Sequence, residues 1–135
     1  MNQSSLRYFG ALSLALVVAL VGLFGSAALV ASPTVLLLAL AGLLMILAGS
    51  VSSVSLGPIR IGWRPLVGLS YALFALTLPV SALQTLLGGT VSAVEYVVFA
   101  TSVLGGLTLL FIGYDIARGG EHFRITSNVE RVVGW

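Results

Sequence analysis

A chain of 135 residues in which 59% of side chains are hydrophobic and 7% are charged departs far from an ordinary soluble domain, where about a quarter of residues carry charge. A soluble fold of this length has too little interior to hide so much apolar surface, so the composition implies lipid as the main solvent. The net charge of +2 gives no basis for nucleic-acid binding, and the absence of cysteine excludes disulfides, thiolate metal sites and a cysteine nucleophile.

The first apolar stretch runs from about 8 to 30, interrupted only by small or weakly polar residues such as Ser13, Gly22 and Ser26. Ser26-Ala27-Ala28 resembles a signal-peptide cleavage site, but the stretch exceeds the about 7–15 apolar residues of such a leader and is long enough to span a bilayer. Ala31-Ser32-Pro33-Thr34 reads as a tight turn, with Pro33 at a helix start, and a second span covers about 34–51. Residues 52–64 form a loop in which Gly57-Pro58 precedes the apolar and basic string Ile59-Arg60-Ile61-Gly62-Trp63-Arg64, a pattern for a small hairpin or extended interfacial segment. A third span covers about 66–87 and ends at Gly88-Gly89, and a fourth covers about 94–114. Residues 115–135 have the polarity of a solvated tail.

The expected fold is therefore all-α: four transmembrane helices arranged as two antiparallel hairpins in one domain. Every basic residue is Arg, and the six fall before the first span (Arg7), between the second and third (Arg60, Arg64) and after the fourth (Arg118, Arg124, Arg131). The other two loops contain none. Short cytoplasmic loops retain Arg and Lys, so this partition predicts a multi-pass cell-membrane protein with both termini in the cytoplasm. Arg60, Trp63, Arg64, Arg118, Arg124 and Trp135 are then candidate anchors at the cytoplasmic interface.

Sliding the sequence against itself aligns Arg7, Ser13 and neighbouring Leu and Ala residues with Arg64, Ser70 and theirs, and a longer offset aligns Gly42 with Gly106 and Gly49 with Gly113. A tandem duplication would make a parallel repeat and would place Ile59-Arg60-Ile61 and Phe123-Arg124-Ile125 in equivalent, pairable positions. Leu and Ala are frequent enough for such matches to arise by chance, so duplication stays an open alternative.

Ionisable groups at bilayer depth mark proton relays, carriers and intramembrane hydrolases, and none stands near the centre of a span. Glu95 suits the first turn of the fourth helix, where the helix dipole favours a carboxylate. Asp115 and Arg118, three apart, predict a surface ion pair. His122 beside Glu121 supplies too few ligands for a metal and reads as a structural or solvated side chain. Ser127 and Glu130 have capping-box spacing, which predicts a short interfacial helix over about 128–134.

The third span is the most polar. Pro79 leaves the carbonyl of Ala75 without its helical donor. That carbonyl, with Thr77, Ser81 and Gln84, either lines a solute path or makes interhelical hydrogen bonds. The small residues of Gly22-Leu-Phe-Gly-Ser26 and Ser102-Val-Leu-Gly-Gly106 permit close helix approach, within one chain or between subunits.

No cofactor is expected. The leading functional expectation is a non-enzymatic accessory or assembly subunit, partnered by the bilayer and by copies of itself or a larger membrane complex. The alternative is an oligomeric channel or carrier for a small solute, lined by the third span. A third reading is an enzyme acting on lipid through Asp115, Glu121, His122 and Arg124.

Overall fold

The computed structural model describes residues 2–89, 92–127, 129–130 and 132–134. Its element order is a helical turn at Gln3–Ser5, α1 (Leu6–Phe24), α2 (Ala27–Ala31), α3 (Pro33–Ser50), β1 (Ser53–Leu56), β2 (Ile59–Gly62), α4 (Trp63–Leu87), α5 (Ala93–Arg118) and β3 (Val132–Gly134). The fold is mostly helical, and all four long helices are long and apolar enough to cross a membrane.

Local chemistry explains most boundaries. The first apolar stretch does not remain one helix to residue 30. Gly25 adopts φ +85° and its N–H closes α1 on the Val21 carbonyl, so the chain breaks before the short α2. A residue with a Cβ is strained at that φ, which is why a glycine stands there. Pro33 opens α3 as expected. The 52–64 loop resolves into an antiparallel hairpin of β1 and β2, with Leu56 opposite Ile59 and a two-residue turn at Gly57-Pro58. Gly57 at φ +60° supplies the positive φ that such a turn requires at its first position. At the start of α5, Ser92 and Glu95 form the reciprocal capping box, so Glu95 completes a helix end.

The tail departs from expectation. In place of an interfacial helix over 128–134, Val132–Gly134 form β3, paired in parallel with β1 through Ser53–Val132 and Val54–Val133. The sheet order is β2-β1-β3. Adjacent β-branched valines fit an extended strand better than a short helix, and β1 offers an open edge whose backbone groups need partners. The anticipated pairing of 59–61 with 123–125 is not made among the described residues: Ile59-Arg60-Ile61 pairs with β1, and Phe123 turns back to Asp115 of α5. Trp135 and Arg131 lie outside the described residues.

The long helices form an open row. α3 packs against both α1 and α4, and α4 against both α3 and α5, while α1 and α5 make no extensive contact among the described residues. Glycines bring the neighbours close. A Cβ on Gly10 would lie 2.5 Å from the Gly42 carbonyl oxygen, one on Gly49 would lie 2.6 Å from the Arg7 amide nitrogen, and one on Gly113 would lie 2.6 Å from Tyr71 Cβ. Serines add cross-links. Ser13 Oγ donates to the Leu38 carbonyl at 3.0 Å and Ser70 Oγ to the Ala41 carbonyl at 2.7 Å, so α3 is gripped from both sides. Such bonds each contribute about 0.6–2 kcal/mol in apolar surroundings.

The densest core lies at the arginine-rich end of the row, where Leu6, Met45, Ala48, Trp63, Leu66, Val67, Ile116 and Ile125 pack together. The opposite end is open, with Leu23, Val30, Leu87 and Val94 exposed.

Candidate functional site

Polar side chains converge where α5 ends. Gly119 and Gly120, at φ +129° and +73°, reverse the chain in a conformation that residues with a Cβ rarely adopt. The Gly120 N–H then donates to the Asp115 carbonyl. A Cβ at Gly120 would also meet the Phe123 carbonyl oxygen at 2.6 Å. The reversal lays residues 121–123 back over the last turn of the helix.

Asp115 is the hub of that reversal. Its carboxylate is 7% exposed and accepts the backbone N–H groups of His122 and Phe123 on Oδ2, at 3.0 and 2.8 Å, while Oδ1 lies 3.0 Å from His122 Nδ1. The expected Asp115–Arg118 pair does not form. Arg118 Nη1 instead donates to the Tyr114 hydroxyl at 3.2 Å and its guanidinium lies 5.3 Å from the Tyr114 ring centre. Backbone donors presented by the reversal meet the carboxylate with fixed geometry, whereas an exposed i,i+3 ion pair must immobilise two side chains for little gain. Of the two readings, His122 is the structural one, held by Asp115 although its ring is 62% exposed. The Phe111 ring flanks it at 5.8 Å.

Two depressions border this reversal. One, of about 350 Å³, is lined by Phe111, Tyr114, Asp115, Arg118, Glu121 and His122 among others. With Nδ1 engaged by Asp115, Nε2 is the imidazole nitrogen left for chemistry, the arrangement that a general base or acid requires. The second, of about 410 Å³, lies between Arg64 and Arg124 and is also walled by Gly119, Gly120, Glu121 and Thr126. Of the residues expected in a lipid-directed site, Asp115, Glu121 and His122 come together, and Arg124 lies on the second depression with Glu121. Among the described residues no group of three His, Cys, Asp or Glu side chains is placed to hold a metal.

The expected interfacial residues share this end. Trp63 is buried beneath the Arg64 guanidinium, which lies 4.9 Å from its ring centre, and Arg60 Nε donates to Ser53 Oγ at 3.0 Å across the hairpin. The polar residues of α4 go elsewhere. Thr77 Oγ1 donates to the Phe74 carbonyl on its own helix, the Ser81 carbonyl accepts from Thr85, and the Gln84 side-chain oxygen accepts from Thr34 of α3 at 3.3 Å. Pro79 packs toward α5, where Gly106 leaves room for the Ala75 carbonyl that proline deprives of its donor. A Cβ on Gly106 would lie 2.8 Å from that oxygen.

One residue at this end escaped the sequence reading. Gln3 is fully buried. Its Nε2 donates to the carbonyls of Ala48 and Val51, both at 2.8 Å, its Oε1 accepts from Ser127 Oγ, and its backbone N–H donates to the Thr126 carbonyl. A polar residue ahead of an apolar run gives no local signal of burial, because all of these partners are remote in sequence.

No curated protein and no solved structure matches the chain. A family model does match, over residues 1–129, and on that extent the chain belongs to DUF7994, a family of unknown function.

Proposed function

We propose that this protein is a small accessory or assembly subunit of the cell membrane, with its four long helices crossing the bilayer as two hairpins and both termini in the cytoplasm. The observation that supports this reading is the open row of helices. A closed four-helix bundle would satisfy its own packing, whereas a row leaves the flanks of α1 and α5 for other helices. Gly22 adds to this, since a Cβ there would have nothing within 4 Å. Helix association in lipid relies on close backbone approach at such small residues, and this one has no partner inside the described chain.

The deciding experiment is native mass measurement after gentle extraction from the source membrane, with co-purifying chains identified. A second protein in fixed ratio, or a defined homo-oligomer, is the expected result. A monomer with no stoichiometric partner would overturn the assembly reading.

A second reading, an enzyme acting on lipid at the cytoplasmic surface, draws support from the Asp115–His122 pair beside its depression. Its test is turnover of a labelled phospholipid in liposomes, lost in His122→Ala. The solute-path reading has weaker support, because Thr77 and Gln84 are engaged in hydrogen bonds to Phe74 and Thr34.

A further inference from the structure

Arg64 stands in the first turn of α4, directly after β2. A guanidinium keeps its charge at any accessible pH and offers five donors with no acceptor. Here Trp63 covers one face of that group. Nη1 is shut off from solvent and has no hydrogen-bond partner among the described residues. A charged donor left without an acceptor is costly in a fold, and no acceptor for this one stands among the described residues.

The surroundings indicate what acceptor would suit it. Arg64 lines the depression of about 410 Å³ whose wall also holds Arg124. Two arginines lining one depression suit an oxyanion, because the planar guanidinium fork matches phosphate oxygens two at a time. Glu121 on the same wall is the rival acceptor. It is exposed, however, and forms no ion pair with either arginine among the described residues. Its carboxylate has water to turn toward when an anion enters.

We propose that the depression between Arg64 and Arg124 is a binding site for a phosphate group, supplied either by the headgroup of an anionic phospholipid or by free phosphate. The lipid source rests on the membrane reading above, since only then does this end of the row lie at headgroup depth. The free-phosphate source does not depend on it.

The test uses the full chain purified in a neutral detergent. Native mass spectrometry counts bound phosphatidylglycerol against phosphatidylcholine at equal concentration, with and without millimolar inorganic phosphate. The expected result is phosphatidylglycerol retained at least about tenfold better than phosphatidylcholine, with a loss of about tenfold in Arg64→Gln and again in Arg124→Gln, the scale of one charge-assisted hydrogen bond. Arg124 is exposed, so its variant folds even if Arg64→Gln does not. Gly22→Ala, at the opposite end of the row, leaves retention unchanged.

Displacement by inorganic phosphate would assign recognition to the phosphate group itself, and lack of displacement would assign it to the lipid. Equal retention of the two lipids, without phosphate binding by equilibrium dialysis, overturns the proposal, as does full retention in both Arg64→Gln and Arg124→Gln. Failure of the chain to stay with membranes after alkaline extraction would remove the membrane reading and leave the dialysis arm to decide the site.

Discussion

Ser127 and Gln3, 124 residues apart in the chain, are joined by a 3.0 Å hydrogen bond from the serine hydroxyl to the glutamine amide oxygen. Through the same amide, the carbonyls at the end of α3 are tied to both ends of the described chain. Gln3→Leu strands two buried carbonyls and is expected to lower stability by about 2–4 kcal/mol, whereas Ser127→Ala removes one bond and costs about 1 kcal/mol. Unfolding in mixed micelles by increasing fractions of a denaturing detergent would rank the two. Equal effects would show that the amide is not the hub.

The glycines divide sharply by what stands opposite them. Gly49→Ala and Gly106→Ala place a Cβ against backbone of a neighbouring segment, and each is expected to cost about 1–3 kcal/mol, the range of overpacked sites. Gly22→Ala meets nothing and replaces a glycine inside a helix, so it should be neutral to stabilising by up to about 1 kcal/mol in the isolated protein. If Gly22 lies at a subunit contact, larger substitutions such as Gly22→Leu would instead shift the oligomer distribution in native mass spectra.

Asp115→Ala removes the acceptor of two backbone N–H groups and the His122 ring together, while His122→Ala leaves both backbone bonds in place. Limited proteolysis should therefore cut residues 119–125 much faster in Asp115→Ala than in the parent protein, and only slightly faster in His122→Ala. The reverse order would mean that the ring, not the backbone donors, holds the reversal.

The absence of cysteine makes the orientation easy to check. Ser127→Cys should react with a membrane-impermeant maleimide only after the cells are opened, and Ser92→Cys should react in intact cells. The opposite pattern would invert the inferred topology.

What could be read in the residues and what could not follows from the range of the interactions. Four long apolar stretches, Pro33, the Gly57-Pro58 turn and Glu95 in the first turn of α5 are all local signals, and each appears where local chemistry puts it, Ser92 completing the Glu95 cap in the structure alone. Gln3, by contrast, is defined by partners at 48, 51, 126 and 127, none of which marks position 3. The Asp115–Arg118 pairing was the reading that helical spacing favours. It fails because Gly119 and Gly120 fold nearby backbone donors onto the carboxylate, an event that no spacing rule encodes. Capping-box spacing at 127–130 likewise suggested a helix, but an open strand edge at β1 outranked it.

The internal resemblance has a mixed outcome in three dimensions. The offset that carries Gly42 to Gly106 also carries Gly49 to Gly113 and Arg7 to Tyr71, and the contacts follow it: Gly49 meets Arg7, and Gly113 meets Tyr71. The shorter offset, which equates Ser13 with Ser70, is not reproduced. Both of those serines donate to α3 rather than to corresponding helices of the two halves.

The parallel pairing of β3 with β1 sets an order of events during synthesis. Residues 132–134 leave the ribosome after every long helix has been made, and so do Thr126 and Ser127, on which Gln3 depends. Until then the backbone N–H and side-chain oxygen of Gln3 and one edge of β1 lack their partners, while Gln3 Nε2 already has the carbonyls of Ala48 and Val51. The arginine-rich end is thus the last of the described regions to lock, although it contains residues that precede α1 in the chain. A nascent chain halted before residue 126 would carry four helices already made beside an end where the Gln3 N–H and one β1 edge still present unpaired backbone.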